Sequence, residues 1–319
     1  MMADAGERAR RILSAAGLGE GDLVTVRSLD GGTYNTVEEL VLTDGRRLIL
    51  KTPPPPETPI LRYEHELLPG EAEFYRGAAT VDVPAPHVVV LADGRLLMTA
   101  CPGTPWHLAS LEEAEQRTLR RELGGLVARL HRVTGPAFGY PSAATGPLAP
   151  DWRTAFTAMY DAVLADARRY RAWLPRPVDE VARTAKAAYD TLDEVTVPRL
   201  VHFDLWEGNI LVERDGAVRI GGLIDGERMF WGDPLADFVS LALLGNIEDD
   251  PEFLTGYQEI GGQVEFTSAA RQRLALYRSY LYLIMLVETV PRALGDEDVT
   301  WRREVVAPQL TAALDELGG

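Results

Sequence analysis

Residues 202–225 run His202-Phe203-Asp204-Leu205-Trp206-Glu207-Gly208-Asn209, then Ile210-Leu211-Val212, Asp215-Gly216, the apolar stretch Val218 to Ile224, and Asp225. Two apolar runs joined by Asp-Gly predict a β-hairpin, because that dipeptide tolerates the positive φ a tight turn requires. The hairpin folds the chain back on itself and is expected to bring Asp225 beside Asn209. Asp204 lies in the loop leading in. Taken alone, Asp204 reads as a solvated loop residue. With an amide and a second carboxylate at these spacings, it reads as part of a site.

The three side chains suit phosphoryl transfer. A hydroxyl must be oriented and relieved of its proton, which fits a carboxylate at Asp204. A triphosphate must be neutralised by magnesium, a hard ion that prefers oxygen ligands, and Asn209 with Asp225 supplies them. Most of the remaining work is positioning and stabilisation of charge.

HxDxxxxN followed by an aspartate at the end of a hairpin resembles the aminoglycoside phosphotransferase and choline kinase-like family, which shares the protein-kinase fold. The fuller string HFDLWEGNILV…GLIDGERMFWGDPLADF is similar to that family's signature beyond the two motifs. The resemblance implies an α+β, bilobal protein-kinase-like fold with a β-rich N-lobe and a mostly helical C-lobe. It also implies ATP and Mg2+ as cofactors, with Asp204 as catalytic base and Asn209 and Asp225 as metal ligands.

The resemblance extends upstream. Leu48-Ile49-Leu50-Lys51 looks like the strand that carries a phosphate-pairing lysine. Glu71 is similar in position to the helix glutamate that holds it, with Glu64, Glu66 and Glu73 as competitors. Leu96 to Gly103 looks like the hinge between lobes, so the backbone of Thr99 and Cys101 would face adenine. The loop Gly31 to Thr36 would cover the phosphates, with Thr33, Asn35 and Thr36 contributing. Two features depart from the protein-kinase pattern. The loop lacks GxGxxG, and Glu227 follows Asp225 where a DFG motif would have ended, which leaves Glu227 open to a metal-side or a substrate-side place.

Elsewhere the pattern is coarser. Residues 6–16 read as a helix stopped by Gly17. Strands are expected at Leu23–Leu29, Val37–Thr43, Arg47–Thr52, His87–Leu91 and Arg95–Thr99, with Asp44-Gly45 and Asp93-Gly94 as turns. Pro53 to Pro56 forbids regular structure. Residues 60–79 have a helical pattern with a break expected at Pro69-Gly70. Helices follow at 111–133, 151–172 and 178–194, and from Asp233 onward. The lobes are expected at 1–100 (a five-stranded sheet plus helix) and 101–319, and the family resemblance implies that an insertion near 134–197 helps form an acceptor pocket.

Asp233, before Pro234, reads as a helix cap, Asp237 as a brace for the catalytic loop, and His202 as structural. Trp152, Phe156, Met159 and Tyr160 recur at helical spacing, which reads first as core. Asp151, Asp161, Asp166, Glu248, Asp249, Asp250 and Glu252 raise the further expectation of an acidic pocket for an amino-sugar.

Composition excludes some classes. The formal net charge is −16 over 319 residues, which disfavours nucleic acid and anionic membranes as partners. Cys101 is the single cysteine, so no intrachain disulfide and no cysteine zinc site can form, and it reads as a hinge residue. The N-terminus lacks the apolar core of a signal peptide, and the longest apolar run, Leu281 to Val287, is too short to span a bilayer. The expectation is a cytoplasmic monomer or homodimer. It would phosphorylate a hydroxyl of a small molecule, either an aminoglycoside-like or other antibiotic, or a metabolic sugar or amino alcohol. A non-catalytic nucleotide binder is the remaining alternative.

Overall fold

The structure is a computed structural model and describes residues 2–29, 34–142 and 146–318. Its first part is α1 (Met2–Ala15), β1 (Leu23–Leu29), β2 (Thr36–Leu42), β3 (Arg47–Thr52), α2 (Leu67–Ala79), β4 (Val88–Ala92) and β5 (Arg95–Thr99). The strands form one antiparallel sheet in the order β1-β2-β3-β5-β4. Gly45, at φ 84°, makes the β2–β3 turn, as the Asp-Gly signal requires.

Strand alternation decides which face each side chain serves. Leu48, Leu50 and Leu97 pack with Ile12 and Leu13 of α1 in a small apolar layer. Leu96 and Met98 belong instead to the main core, together with Phe74 and Tyr75 of α2. Lys51 shares the inner face with them and points toward α2. The expected break at Pro69-Gly70 does not occur. Pro69 falls in the first turn of α2, where the backbone N–H has no intrahelical acceptor to lose, so the helix runs through it.

The second part is β6 (Thr104–Pro105), α3 (Glu113–Leu130), α4 (Trp152–Tyr170), α5 (Val178–Ala187), β7 (Arg199–Val201), β8 (Ile210–Asp215), β9 (Ala217–Leu223) and β10 (Phe230–Gly232). Then come α6 (Leu235–Leu241), α7 (Pro251–Glu259), α8 (Ser268–Val287), α9 (Asp296–Trp301) and α10 (Ala307–Gly318). The single helix expected at 178–194 is α5 followed by a separate 3-10 turn at Tyr189–Glu194. No helix among the described residues is long and apolar enough to cross a membrane.

Helix α8 is buried almost all round and forms the axis of this part. Trp152, Phe156 and Tyr160 of α4 pack on its Tyr277 and Tyr280. The tryptophan N–H donates to Tyr277 Oη at 2.7 Å, which satisfies it inside the core. These aromatics are therefore packing residues.

Helices α3 and α7 touch backbone to backbone. A Cβ on Gly256 would lie 1.8 Å from Arg121 O, and one on Gly124 would lie 2.1 Å from Phe253 O. Gly256→Ala is expected to force the helices apart and cost on the order of 1–3 kcal/mol, read as a lower denaturation midpoint.

Candidate active site

The hairpin β8–β9 pairs Ile210 with Leu223, and Ile224 N donates to Asn209 O at 2.9 Å. That register sets Asn209 and Asp225 side by side, as the sequence predicts. Asp237 holds the preceding loop. Its carboxylate accepts from His202 N at 3.0 Å, Phe203 N at 2.7 Å and His131 Nε2 at 2.9 Å. His202 Nε2 bonds Ile224 O at 2.9 Å and its ring stands edge-on to Phe74, so it ties the loop to the hairpin end and to α2. Asp233 accepts from Leu235 N at the start of α6 and from Arg273 and Tyr277. The bracing roles of Asp237 and His202 and the capping role of Asp233 follow the expectation.

Phe203 and Asp225 both have left-handed backbones, φ 64° and 63°. Non-glycine residues adopt that conformation at a cost, and the surrounding bonds hold it here. Asp237→Ala would leave three buried donors without an acceptor. It is expected to cost on the order of 3 kcal/mol, with Asp237→Asn costing less, in equilibrium unfolding.

Around these residues lies a cavity of about 370 Å³ between the sheet and the helical part, lined among others by Asn35, Lys51, Asp204, Asn209, Asp225 and Glu227. Lys51 Nζ donates to Glu71 Oε1 at 2.7 Å, pairs closely with Asp225, and lies 3.8 Å from Glu227. Glu71, not its competitors, is the lysine's helix partner. Tyr75 Oη donates to Glu71 at 2.6 Å and accepts from Asp225 N at 3.0 Å. Glu227 accepts from Asn35 Nδ2 at 2.6 Å and thus belongs with Asp225 and Lys51. Asn209 Nδ2 donates to Asp204 O at 2.8 Å, which leaves its Oδ1 as the available acceptor.

Electrostatics follow from this crowding. Burial works against ionisation of Asp225, but the charge and hydrogen bond of Lys51 outweigh it and hold the carboxyl below its ordinary value. Burial, reinforced by Asp225, pushes Glu227 up to about 8. Burial also raises Asp204, with Arg228 pulling the other way. Lys51 is disfavoured as a cation by burial, yet Asp225, Glu71 and Glu227 raise it well above its ordinary value.

Ligand oxygens of Glu71, Asp225 and Glu227 all lie within 4.8 Å of one another. Glu71 Oε2 and Asn35 Oδ1 are buried without a hydrogen-bond partner among the described residues. An all-oxygen donor set with surplus acceptors and one lysine fits a hard divalent cation such as Mg2+.

Not every expected residue joins the cavity. Thr33 lies outside the described residues. Thr36 begins β2 opposite Thr52 and is exposed. The Thr99 N–H and Oγ1 are both engaged by His87, so that donor is not available to a ligand. Cys101 packs against Gly222, and burial pushes its thiol up to about 11, which suits an inert hinge residue.

The other half of the cavity held none of the residues anticipated. Arg228 Nε lies 3.7 Å from Asp204 Oδ2, and Arg228 also pairs with Glu288 at 3.1 Å. Glu288 pairs in addition with Arg292 at 3.3 Å and Arg302 at 3.0 Å. Trp206, Leu281, Met285 and Trp301 complete the wall. The acidic pocket does not form there. Asp151 and Asp250 cap helices, Asp166 accepts from Arg62 N, and Glu248 pairs with Arg271. Asp249 and Asp250 border a separate open groove beyond Trp206.

Comparison with known proteins agrees with this architecture. A probable ketoamine kinase of Enterococcus faecium is 25% identical over 177 residues, covering 52% of this chain and 60% of that protein. The chain thus spans only part of that relative's length. Among solved structures, a protein assigned as a fructosamine-3-kinase from Thermobifida fusca superposes with a TM-score of 0.68 at 20% identity, covering 97% of this chain and 99% of its own. An aminoglycoside phosphotransferase in complex with AMP-PNP and hygromycin B gives 0.63 at 17% identity, covering 94% and 96%. Both are similar in fold to the bilobal arrangement described above. The family model for the phosphotransferase enzyme family matches residues 25–277, which include the catalytic-loop and hairpin motifs, Lys51 and Glu71, and on that match the chain belongs to this family.

Proposed function

We propose that the chain is an ATP-dependent kinase that phosphorylates a hydroxyl of a small molecule in the cytoplasm. One observation carries the reading: Asp204, Asn209, Asp225 and Lys51 face a single cavity, with Lys51 braced by Glu71. Asp204 is the catalytic base. It orients the acceptor hydroxyl and takes its proton as the new O–P bond forms and the bond from the γ-phosphorus to the ADP oxygen breaks. Its raised proton affinity suits a base in a buried site.

Lys51 pairs with the α/β-phosphates, and Glu71 keeps its ammonium aimed into the cavity. Asn209 Oδ1 and Asp225, with Glu227 beside them, would hold Mg2+, which supplies charge neutralisation for the phosphates. Asn35, which lines the cavity, would border the phosphate side. With the Thr99 N–H engaged by His87, the hinge backbone at Cys101 would border the base. The neighbours named as a fructosamine-3-kinase and an aminoglycoside phosphotransferase support a hydroxyl of a small molecule as the acceptor in this reading.

The test is ADP release from Mg·ATP with a panel of sugars, amino alcohols, hydroxy acids and hydroxylated antibiotics. Stimulation by one acceptor, lost in EDTA, supports the reading. Failure of the protein to bind ATP in the presence of magnesium overturns it.

A further inference from the structure

The half of the cavity beyond Asp204 has a definite chemical character. Arg228, Arg292 and Arg302 converge on Glu288, and Arg292 also pairs with Glu64. Arg228 also faces Asp204 at 3.7 Å, so each of these guanidinium groups has a carboxylate within reach. Arg302 Nη1 is engaged by Met285 O and Glu288 Oε1, while its Nε and Nη2 have no protein partner among the described residues. A guanidinium that presents an adjacent Nε and Nη2 offers the fork that a carboxylate accepts in bidentate fashion.

The backbone that delivers Arg302 is itself unusual. It is the first residue of a π-helical turn, Arg302–Val306, between α9 and α10. Such turns are rare and occur often at functional sites. The turn also sets Trp301 on the cavity wall, where it stays 43% exposed, with Trp206 39% exposed on the same cavity. Two large exposed aromatic faces in one cavity are expected to gain from covering by an apolar ligand body.

We infer that the acceptor is an anionic, partly apolar hydroxyl compound whose carboxylate docks on Arg302 and whose body lies between Trp206 and Trp301. A polyamine would set an ammonium group against the Arg302 fork, a like-charge encounter. This inference rests on the kinase reading and names its acceptor class.

The experiment uses the full chain with magnesium and AMP-PNP bound, titrated calorimetrically with a matched set. The set is 3-phenyllactate, its uncharged amide, and 3-amino-1-phenylpropan-2-ol, in which an aminomethyl group replaces the carboxylate. The hydroxy acid is expected to bind at least about tenfold tighter than the amino alcohol, with the amide between, as one charge-assisted contact would give. Arg302→Gln is expected to remove that preference. Equal affinities, a preference for the amino alcohol, no binding of any member, or an unchanged preference in Arg302→Gln would each overturn the inference. Binding of AMP-PNP is measured first and separates the two levels. If it binds and the preference is absent, only the acceptor class is wrong. If it does not bind with magnesium, the kinase reading falls and the inference with it.

Discussion

Asp204→Asn is expected to lower turnover by about 10²–10⁴-fold, the usual worth of a positioned general base. The amide keeps the shape of the carboxylate and loses its basicity, so the binding of magnesium and nucleotide should be little changed. The loop itself is held by Asp237, His202 and the hairpin, not by the Asp204 carboxylate. Unfolding should therefore shift much less than activity.

The pH profile adds a second readout. Burial raises the Asp204 carboxyl above its ordinary value, and the base must be ionised to accept a proton. Turnover should fall as pH drops through that raised value, so its acid limb should lie above the ordinary aspartate range. A kcat unchanged in Asp204→Asn would remove Asp204 from the chemistry.

The meeting of Asn209 with Asp225 was legible because a local signal fixes it. Asp215-Gly216 declares a hairpin, the hairpin fixes the register, and the register brings Asp225 to Asn209. Lys51 and Glu71 required more, since nothing in their local sequence pairs a strand lysine with a helix glutamate. The likeness to a family supplied that pairing, and the geometry agrees.

The acceptor half was not legible. Arg228, Glu288, Arg292, Trp301 and Arg302 meet only through the packing of α8 and the π turn against the catalytic loop, and no spacing in the chain announces that meeting. The acidic pocket failed for a related reason. A run of Asp and Glu does not disclose whether its carboxylates face a cavity, cap a helix or pair with an arginine, and most of these cap or pair. Pro69 misled in the opposite sense, because proline breaks a helix interior yet fits its first turn.

Asp225→Asn and Lys51→Met remove the two ends of one ion pair and are expected to differ in their cost to stability. Glu71, Asp225 and Glu227 crowd around a single ammonium. Neutralising Asp225 removes a carboxylate that Lys51 holds below its ordinary value, which costs stability, while it relieves its repulsion of Glu71 and Glu227, so the metal-free protein should unfold at a modestly lower temperature. Activity should fall by about a thousandfold or more, since the proposed metal ligand is lost. Lys51→Met leaves the carboxylates buried with no cation among them, and breaking a buried pair in that way costs about 3–5 kcal/mol. Activity would fall with it. Thermal unfolding of both variants without metal, and again with magnesium, decides the matter. Magnesium should raise the melting temperature of the wild type more than that of Asp225→Asn. Equal stabilisation of the two would mean that Asp225 does not hold the ion, and that its close contact with Lys51 is structural.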